Sequence, residues 1–305
     1  MMAQKYTIKG QFDDMKNELS DFYSRNEIQA MAFLIFEALL GYPKSKVLLN
    51  MHEQISKEKL DKIQDIVFQL KQYKPIQYIL GHTCFYGMTF FVNEHVLIPR
   101  PETEELVDWI IQDHQGKSLN ILDVGTGSGC IAIALARHLP SCQVFAGDIS
   151  REALEMSKKN AKHHHVQVNF IEMDIKDPRT SLFDNKRPSR RKDNSGFNSL
   201  DILVSNPPYI PARDKNRLSK NITEYEPDLA LFVESDDPLL FYRKILDFAA
   251  QALKPAGMIY AEIHENLHAE VGHLFLEYHY CDMQIRKDIN GKPRMLKAIK
   301  HQPNI

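Results

Sequence analysis

From about residue 100 onward, short apolar runs alternate with helical stretches, and this alternation limits the possible folds more than any other feature of the sequence. Five apolar runs show no two-residue alternation with polar positions: 119–124, 143–147, 168–173, 200–205 and 258–263. Helical patterns separate them, chiefly at 130–138, 151–162 and 239–253. Unalternated strands between helices are typical of a parallel sheet covered on both faces. We therefore predict an α/β domain over residues 100–305, ending in a hairpin formed by 281–289 and 294–300.

The first part of the chain follows a helical period instead. In EIQAMAFLIFEALLG the apolar residues recur at helical spacing, and Gly41 can end the helix in a left-handed conformation. A second helix is predicted between Ser56, a possible cap, and Pro75, which cannot continue it. We expect residues 1–74 to form a small helical bundle. Residues 75–99 are rich in aromatic and β-branched residues with glycine breaks, and this pattern predicts a β-hairpin connector.

Composition and charge argue against several classes of protein. The net charge of -2 gives no overall attraction for nucleic acid or an anionic membrane, so we expect direct binding to neither. No run of about 18 apolar residues is present, and the N-terminus lacks the apolar core of a signal peptide. The four cysteines have no metal-like spacing, which indicates reduced thiols in a cytoplasmic protein and no metal site. We expect a monomer.

A glycine-rich loop, DVGTGSG, follows the first predicted strand and leads directly into a helix at Cys130. Its candidate binding residues are Gly125, Thr126, Gly127, Ser128 and Gly129. Such a helix start offers free N–H groups and a partial positive charge to a ligand. In the dinucleotide fingerprint the sixth place is glycine, whereas here it is cysteine. This spacing favours a ligand without a pyrophosphate.

Two acidic residues belong with this loop. Asp148 ends the second predicted strand, where a carboxylate can accept hydrogen bonds from both ribose hydroxyls. Asp174 is predicted to end the third strand, where the adenine edge of such a ligand would lie. A nucleoside that carries an amino acid instead of phosphates fits all three places. S-adenosylmethionine, with S-adenosylhomocysteine as its product, is therefore the predicted cofactor; the alternative is a glycine turn without a ligand.

The stretch SNPPYIP follows the fourth predicted strand. Its prolines fix φ and lack N–H groups, so the loop is stiff and its carbonyl groups stay outside any helix. The Asn206 oxygen and the Pro207 carbonyl are predicted to hold a planar –NH2 group, with Pro208 beside them and Tyr209 against its flat face. Two acceptors would orient the nitrogen lone pair and stabilise its growing positive charge. A plain proline-rich turn is the alternative.

Six stretches together resemble the HemK-type family, the peptide chain release factor glutamine N5-methyltransferases. They occur in the family's order, within about residues 20–300: PIQYILG, FYG, VLIPRPETEELV, DVGTGSGCIAIALA, SNPPYI and YEPDLAL. The NPPY motif is shared with adenine and guanine methyltransferases of DNA and RNA. LIPRPETE is much more specific to this family.

The resemblance implies a Rossmann-like, seven-stranded S-adenosylmethionine-dependent methyltransferase domain behind an N-terminal helical domain that binds the release factor. It implies methyl transfer to the side-chain amide of the glutamine in the factor's Gly-Gly-Gln loop. By position, the glycine loop, Asp148 and Asn206 would bind the cofactor. Residues 206–209 would hold the glutamine amide, with Asn206, Pro207 and Tyr209 as the catalytic residues.

Three departures from the family pattern affect the periphery of the expected site. Ile175 stands where bacterial relatives often carry an aromatic residue, FVESDDPLL follows YEPDLAL, and a basic insertion occupies 185–199. The alternative enzyme is an amino-methyltransferase acting on adenine or guanine of DNA or RNA, which would need a basic face and a pocket for a flipped base. A non-catalytic binding module with the same fold is the other alternative, and the intact NPPY motif argues against it.

Overall fold

The computed structural model describes residues 6–177, 200–233, 235 and 237–301. The helices are α1 (Ile8–Leu19), α2 (Arg25–Leu40), α3 (Lys44–Leu49), α4 (Lys57–Leu70), α5 (Ile76–Leu80), α6 (Pro101–His114), α7 (Cys130–His138), α8 (Arg151–His163), α9 (Lys220–Thr223), α10 (Asp228–Leu231), α11 (Leu240–Ala252) and α12 (His268–Glu277). The strands are β1 (His82–Phe85), β2 (Met88–Phe91), β3 (Asn120–Val124), β4 (Gln143–Asp148), β5 (Asn169–Glu172), β6 (Leu200–Ser205), β7 (Ile210–Pro211), β8 (Phe232–Val233), β9 (Leu253–Glu262), β10 (Tyr280–Lys287) and β11 (Pro293–Lys300).

These residues form two compact units. The first, here called the helical unit, comprises Met1–Gly81 together with Ser219–Tyr225. The second, the sheet unit, comprises His82–Leu218 and Glu226–Ile305. The basic insertion at 185–199 lies outside the described residues. The division into a bundle at 1–74, a connector at 75–99 and a catalytic domain at 100–305 stays a prediction.

The helical unit contains the two predicted helices and others that the apolar period did not reveal. α2 begins at a capping box between Ser24 and Glu27 and ends at Gly41, whose φ of 68° is left-handed as predicted. α4 starts after Ser56 but ends at Leu70, before Pro75, and its cap side chain makes no hydrogen bond to the helix. α1 is rich in polar residues, so its apolar stripe is thin and its helical period is weak.

The sheet unit contains a seven-stranded sheet in the order β10-β11-β9-β6-β3-β4-β5. β3 pairs in parallel with both β4 and β6, while β11 pairs antiparallel with β9 and with β10. Two apolar cores flank this sheet. Side chains from α6 and α7 lie in one core, and side chains from α11 and α12 lie in the other. The prediction of a sheet covered on both faces is therefore confirmed.

Most element boundaries fall within two residues of those expected from the sequence. β6 and α7 match their predicted ranges, and β10 and β11 form the predicted terminal hairpin. β9 is longer than predicted and begins at Leu253. One expectation was wrong: β5 ends at Glu172, so Asp174 follows the strand instead of ending it. Met173 still donates its N–H to the Asp148 carbonyl of β4 at 2.9 Å, so the last bond of this segment to the sheet comes just before Asp174.

Candidate active site

The strand order places the candidate residues at one edge of the sheet. β3 lies between β4 and β6, so the connections from β3 and β6 leave in opposite directions. A crevice forms at the carboxyl ends of parallel strands at such a switch point, and ligands of open α/β sheets bind there. The sheet unit has a cavity of about 230 Å³ at this position. Its walls include residues 94–97, the segments that follow β3, β4, β5 and β6, the segment 227–230 and one side of α11.

The glycine loop contributes two of its five candidate residues to the cavity wall, Gly125 and Gly127. The other three are buried behind the loop. Thr126 donates its hydroxyl proton to Asp123 Oδ2 at 2.6 Å. Gly129, at the start of α7, lies against Ser157 of α8. Buried residues thus support the loop, while its glycine backbone lies open to a ligand.

Asp148 lies in the cavity wall at the end of β4, as predicted. The N–H of Gly127 donates to its Oδ2 at 2.8 Å, and the N–H of Ser150 donates to its Oδ1 at 2.9 Å. Burial raises the pKa of this carboxyl, and these backbone hydrogen bonds oppose the rise. A carboxylate has about four acceptor positions, so these backbone bonds leave room for a ligand hydroxyl. The loop and the carboxylate therefore fix each other's position.

An apolar side of the cavity is formed by Met173, Ile175, Phe241 and Ile245. Asp174 also lines the cavity, and its Oδ1 accepts a hydrogen bond from the Lys176 N–H at 2.8 Å. Ile175 cannot stack on a planar ring as an aromatic side chain does, but α11 supplies Phe241 to the same cavity. Phe241 was not predicted from the sequence, because it lies far along the chain on a helix expected only to cover the sheet.

The NPPY motif follows β6, and Asn206, Pro207 and Pro208 all line the cavity. The Ser205 hydroxyl donates to the Val124 carbonyl at 2.7 Å and ties the start of this loop to β3. Tyr209 is half-buried, and its hydroxyl donates to Glu262 Oε1 at 3.1 Å. Burial, together with the nearby Glu262 charge, raises the pKa of Tyr209, so its hydroxyl remains a neutral donor. A contact between the Tyr209 ring and a substrate remains a prediction.

Sequence reasoning did not identify two buried residues next to this motif. Asn206 Nδ2 donates to Thr103 Oγ1 at 3.3 Å, and Thr103 Oγ1 donates to Glu262 Oε2 at 2.6 Å. The side chains of Thr103 and Glu262 are both buried, and burial raises the pKa of Glu262. A signal for Glu262 was present in the sequence, since it is the single acid in the apolar stretch MIYAEI. Thr103 lies inside LIPRPETE.

A second buried acid joins two walls of the cavity. Glu226 accepts a hydrogen bond from the Ile98 N–H at 3.2 Å and forms an ion pair with Arg100 at 2.6 Å. Ile98 directly follows residues 94–97, which form part of one wall of the cavity. Glu226 directly precedes residues 227–230, which form part of another wall. Glu226, the first of the two acids in YEPDLAL, therefore holds the LIPRPETE segment in place within the sheet unit.

Known proteins with similar sequences are methyltransferases, as the geometry of this site suggests. The family model described as a methyltransferase domain matches residues 115–297, and the one described as a PrmC N-terminal domain matches residues 14–81. A release factor glutamine methyltransferase of Flavobacterium psychrophilum is 42% identical over 295 residues, which are 95% of this chain and 98% of that protein. The chain belongs to the release factor glutamine methyltransferase family. Its Bacteroides thetaiotaomicron member is 38% identical over 284 residues, 93% of this chain and 97% of its own.

A solved structure shows the same fold at much lower identity. The hMettl16 catalytic domain, in complex with a MAT2A 3'UTR hairpin, aligns with a TM-score of 0.52 and 14% identity over 82% of this chain and 83% of its own. The resemblance to the family and the predicted fold class are thus confirmed, as is the class of enzyme, a methyltransferase. None of the helices formed by the described residues has the length and hydropathy of a membrane span. The same residues contain no cluster of three or more metal-binding side chains.

Proposed function

We propose that this enzyme transfers a methyl group from S-adenosylmethionine to the side-chain amide nitrogen, N5, of the glutamine in the Gly-Gly-Gln motif of translation release factors. The observation that carries the proposal is that Asp148 and the pair Asn206–Pro207 line one cavity. The acid proposed to bind the ribose and the two acceptors proposed for a planar –NH2 group thus line the same crevice. The names of its bacterial relatives support the protein substrate.

The cavity residues fit the proposed cofactor. Asp148 lines the cavity and retains acceptor capacity for ribose hydroxyls, and Gly125 and Gly127 leave backbone exposed for the amino-acid end. Ile175 and Phe241 provide apolar surface for the adenine ring. When bound, the cofactor would supply an electrophilic methyl group on a sulfonium.

The chain's own residues then act on the amide nitrogen of the substrate glutamine. This nitrogen is a poor nucleophile because its lone pair is delocalised into the carbonyl group. The Asn206 oxygen and the Pro207 carbonyl would accept its two N–H groups and point its lone pair at the methyl group. Both acceptors stabilise the positive charge that grows on nitrogen as the new bond forms. The nitrogen gains a methyl group and afterwards releases one proton, so no strong base is needed before transfer.

We also propose that the helical unit contacts the release factor and that the enzyme acts as a cytoplasmic monomer without binding nucleic acid directly. The match of residues 14–81 to the N-terminal domain model of this family supports a family-specific role for this unit. All four cysteines are free, in agreement with a reducing compartment.

The deciding experiment combines purified enzyme, S-adenosylmethionine and a release factor, followed by peptide mass spectrometry. We expect one methyl group on the Gly-Gly-Gln glutamine and none on a factor in which this glutamine is replaced. Asn206→Ala should abolish transfer, while S-adenosylhomocysteine should still bind in calorimetry, though more weakly, through Asp148 and the glycine loop. Parallel reactions contain DNA or RNA. A methylated nucleic acid and an unmodified release factor would refute the proposal in favour of the amino-methyltransferase alternative.

A further inference from the structure

We propose that Thr103 and Glu262 are positioning residues that hold the Asn206 amide with its oxygen directed at the substrate nitrogen. This inference deepens the proposed function and rests on it, because it concerns the acceptor that would hold the glutamine amide. Three separate elements meet at this point. Thr103 lies in the first turn of α6, Glu262 ends β9, and Asn206 follows β6. The contacts are therefore a product of the tertiary fold.

The direction of each hydrogen bond follows from the number of protons available. A threonine hydroxyl has one proton, and an ionised carboxylate only accepts. Thr103 Oγ1 lies 2.6 Å from Glu262 Oε2, so its proton is donated to the carboxylate. The remaining lone pairs of Oγ1 can only accept, and its neighbour at 3.3 Å is the Asn206 side chain. Asn206 must therefore present its –NH2 group to Thr103, which turns its oxygen away.

The opposite orientation of Asn206 would be unfavourable. Rotating the amide by half a turn would place its oxygen against the lone pairs of Thr103 Oγ1. Two buried acceptor oxygens would then face each other with no proton between them. It would also present –NH2 to the –NH2 group of a substrate amide. Because Asn206 lines the cavity, the orientation set by Thr103 is the one that offers an acceptor to a ligand there.

Thr103 donates its proton to Glu262 while that carboxyl is ionised, and three neighbouring groups act against the rise in pKa that burial causes. Burial raises the pKa of Glu262, and the negative charge of Glu102 on α6 acts in the same direction. The hydroxyl groups of Thr103 and Tyr209 and the positive charge of Arg294 on β11 lower it. Each oxygen of Glu262 accepts from one of the two hydroxyls, at 2.6 and 3.1 Å.

The same carboxylate is thus linked to both ends of the NPPY motif. It acts on Asn206 through Thr103, and it holds Tyr209 directly. The main chain of Glu262 is fixed in turn, since the Tyr242 hydroxyl donates to its carbonyl oxygen at 3.0 Å. The LIPRPETE signature therefore acquires a physical role: its threonine transmits the position of a buried acid on β9 to the proposed catalytic loop.

The main test is Thr103→Val, which keeps the shape of the side chain and removes its hydroxyl. Because the substrate acceptor is then misoriented, we expect kcat for release-factor methylation to fall on the order of 10- to 100-fold. The KM for the release factor and the Kd for S-adenosylhomocysteine should change less than about twofold. Thr103→Ser should restore most of the lost kcat. Thr89→Val, the same substitution at an exposed position of β2, is the matched control.

Glu262→Gln tests the acid itself. A glutamine can meet Thr103 with either its oxygen or its –NH2 group, so it no longer dictates where the threonine proton points. We expect kcat to fall by less than in Thr103→Val. Full kcat in Thr103→Val would overturn the proposal, and full kcat in Glu262→Gln alone would remove Glu262 from it. Equal losses in kcat and in cofactor affinity would show a merely structural role.

A measurement without turnover separates this proposal from the proposed function. In protein labelled with ¹⁵N-asparagine, the side-chain –NH2 signals of Asn206 are assigned by their absence in Asn206→Ala. We expect these signals to shift in Thr103→Val and to stay near their wild-type positions in Thr103→Ser and Thr89→Val. Unchanged signals in Thr103→Val would refute the positioning role, whether or not a release factor is methylated. Shifted signals in an enzyme that does not modify release factors would leave the orientation established and the proposed substrate wrong.

Discussion

Gly129 is a position at which one added methyl group should cost this protein much of its stability. It caps α7 with a φ of 82°, a region that L side chains occupy at a cost of about 1–2 kcal/mol. An added Cβ would lie 2.8 Å from Ser157 Cβ, 2.9 Å from Ile133 Cδ1 and 3.3 Å from Ser157 Cα. Overpacking of this kind costs about 1–3 kcal/mol. We expect Gly129→Ala to lower the free energy of unfolding by about 2–5 kcal/mol.

Gly125→Ala is the matched comparison in the same loop. Its φ of 73° is also left-handed, but an added Cβ would meet nothing within 4 Å. Only the backbone cost remains, so this variant should lose about 1–2 kcal/mol. The two variants therefore differ by the packing cost alone.

Urea unfolding, monitored by tryptophan fluorescence, measures this difference in the sheet unit, where Gly125 and Gly129 lie. The chain has one tryptophan, Trp109, which is buried on α6 within the sheet unit. The midpoint should fall further for Gly129→Ala than for Gly125→Ala, with similar slopes. Equal losses of stability in the two variants would show that the left-handed backbone conformation alone requires glycine at both positions. They would refute a packing cost at Gly129.

Three further outcomes are expected from other buried groups. Glu226→Ala leaves Arg100 and a backbone N–H without their partner, so the free energy of unfolding should fall by about 2–5 kcal/mol and S-adenosylhomocysteine should bind more weakly in calorimetry; unchanged values in both would contradict the bridging role. Phe241→Ala should weaken S-adenosylhomocysteine binding about tenfold with little change in the urea midpoint, because the adenine loses an aromatic contact. Unchanged binding would show that Phe241 does not contact the adenine. Burial raises the pKa of Asp123 from 3.8 to about 7, so the folded protein binds a proton that the unfolded chain releases, and stability should decline as pH rises between these values. Asp123→Asn should remove that part of the slope in urea titrations from pH 4 to pH 8.

Local patterns were sufficient to predict much of the sheet unit. β6 is a pure apolar run, α7 follows a glycine loop at once, and Asp148 stands at a strand end, so each could be recognised from adjacent residues. The contact between Thr103 and Glu262 could not be recognised in this way, because it joins positions 159 residues apart. Phe241 was missed for the same reason, since its place in the cavity depends on how α11 packs against the sheet. α1 escaped notice because its polar composition hides the helical period.

The make-up of the helical unit has a consequence for synthesis of the chain. Its residues up to Gly81 are synthesised before the sheet unit, but Ser219–Tyr225 belongs to the same helical unit, and the Tyr225 hydroxyl donates to the Gln72 carbonyl at 2.7 Å. At about 5–20 residues per second, the roughly 140 intervening residues take about 7–30 s to translate. During that interval the nascent bundle lacks its last segment, and the strands up to β6 emerge first. The helical unit is thus completed only after more than half of the sheet unit has been synthesised.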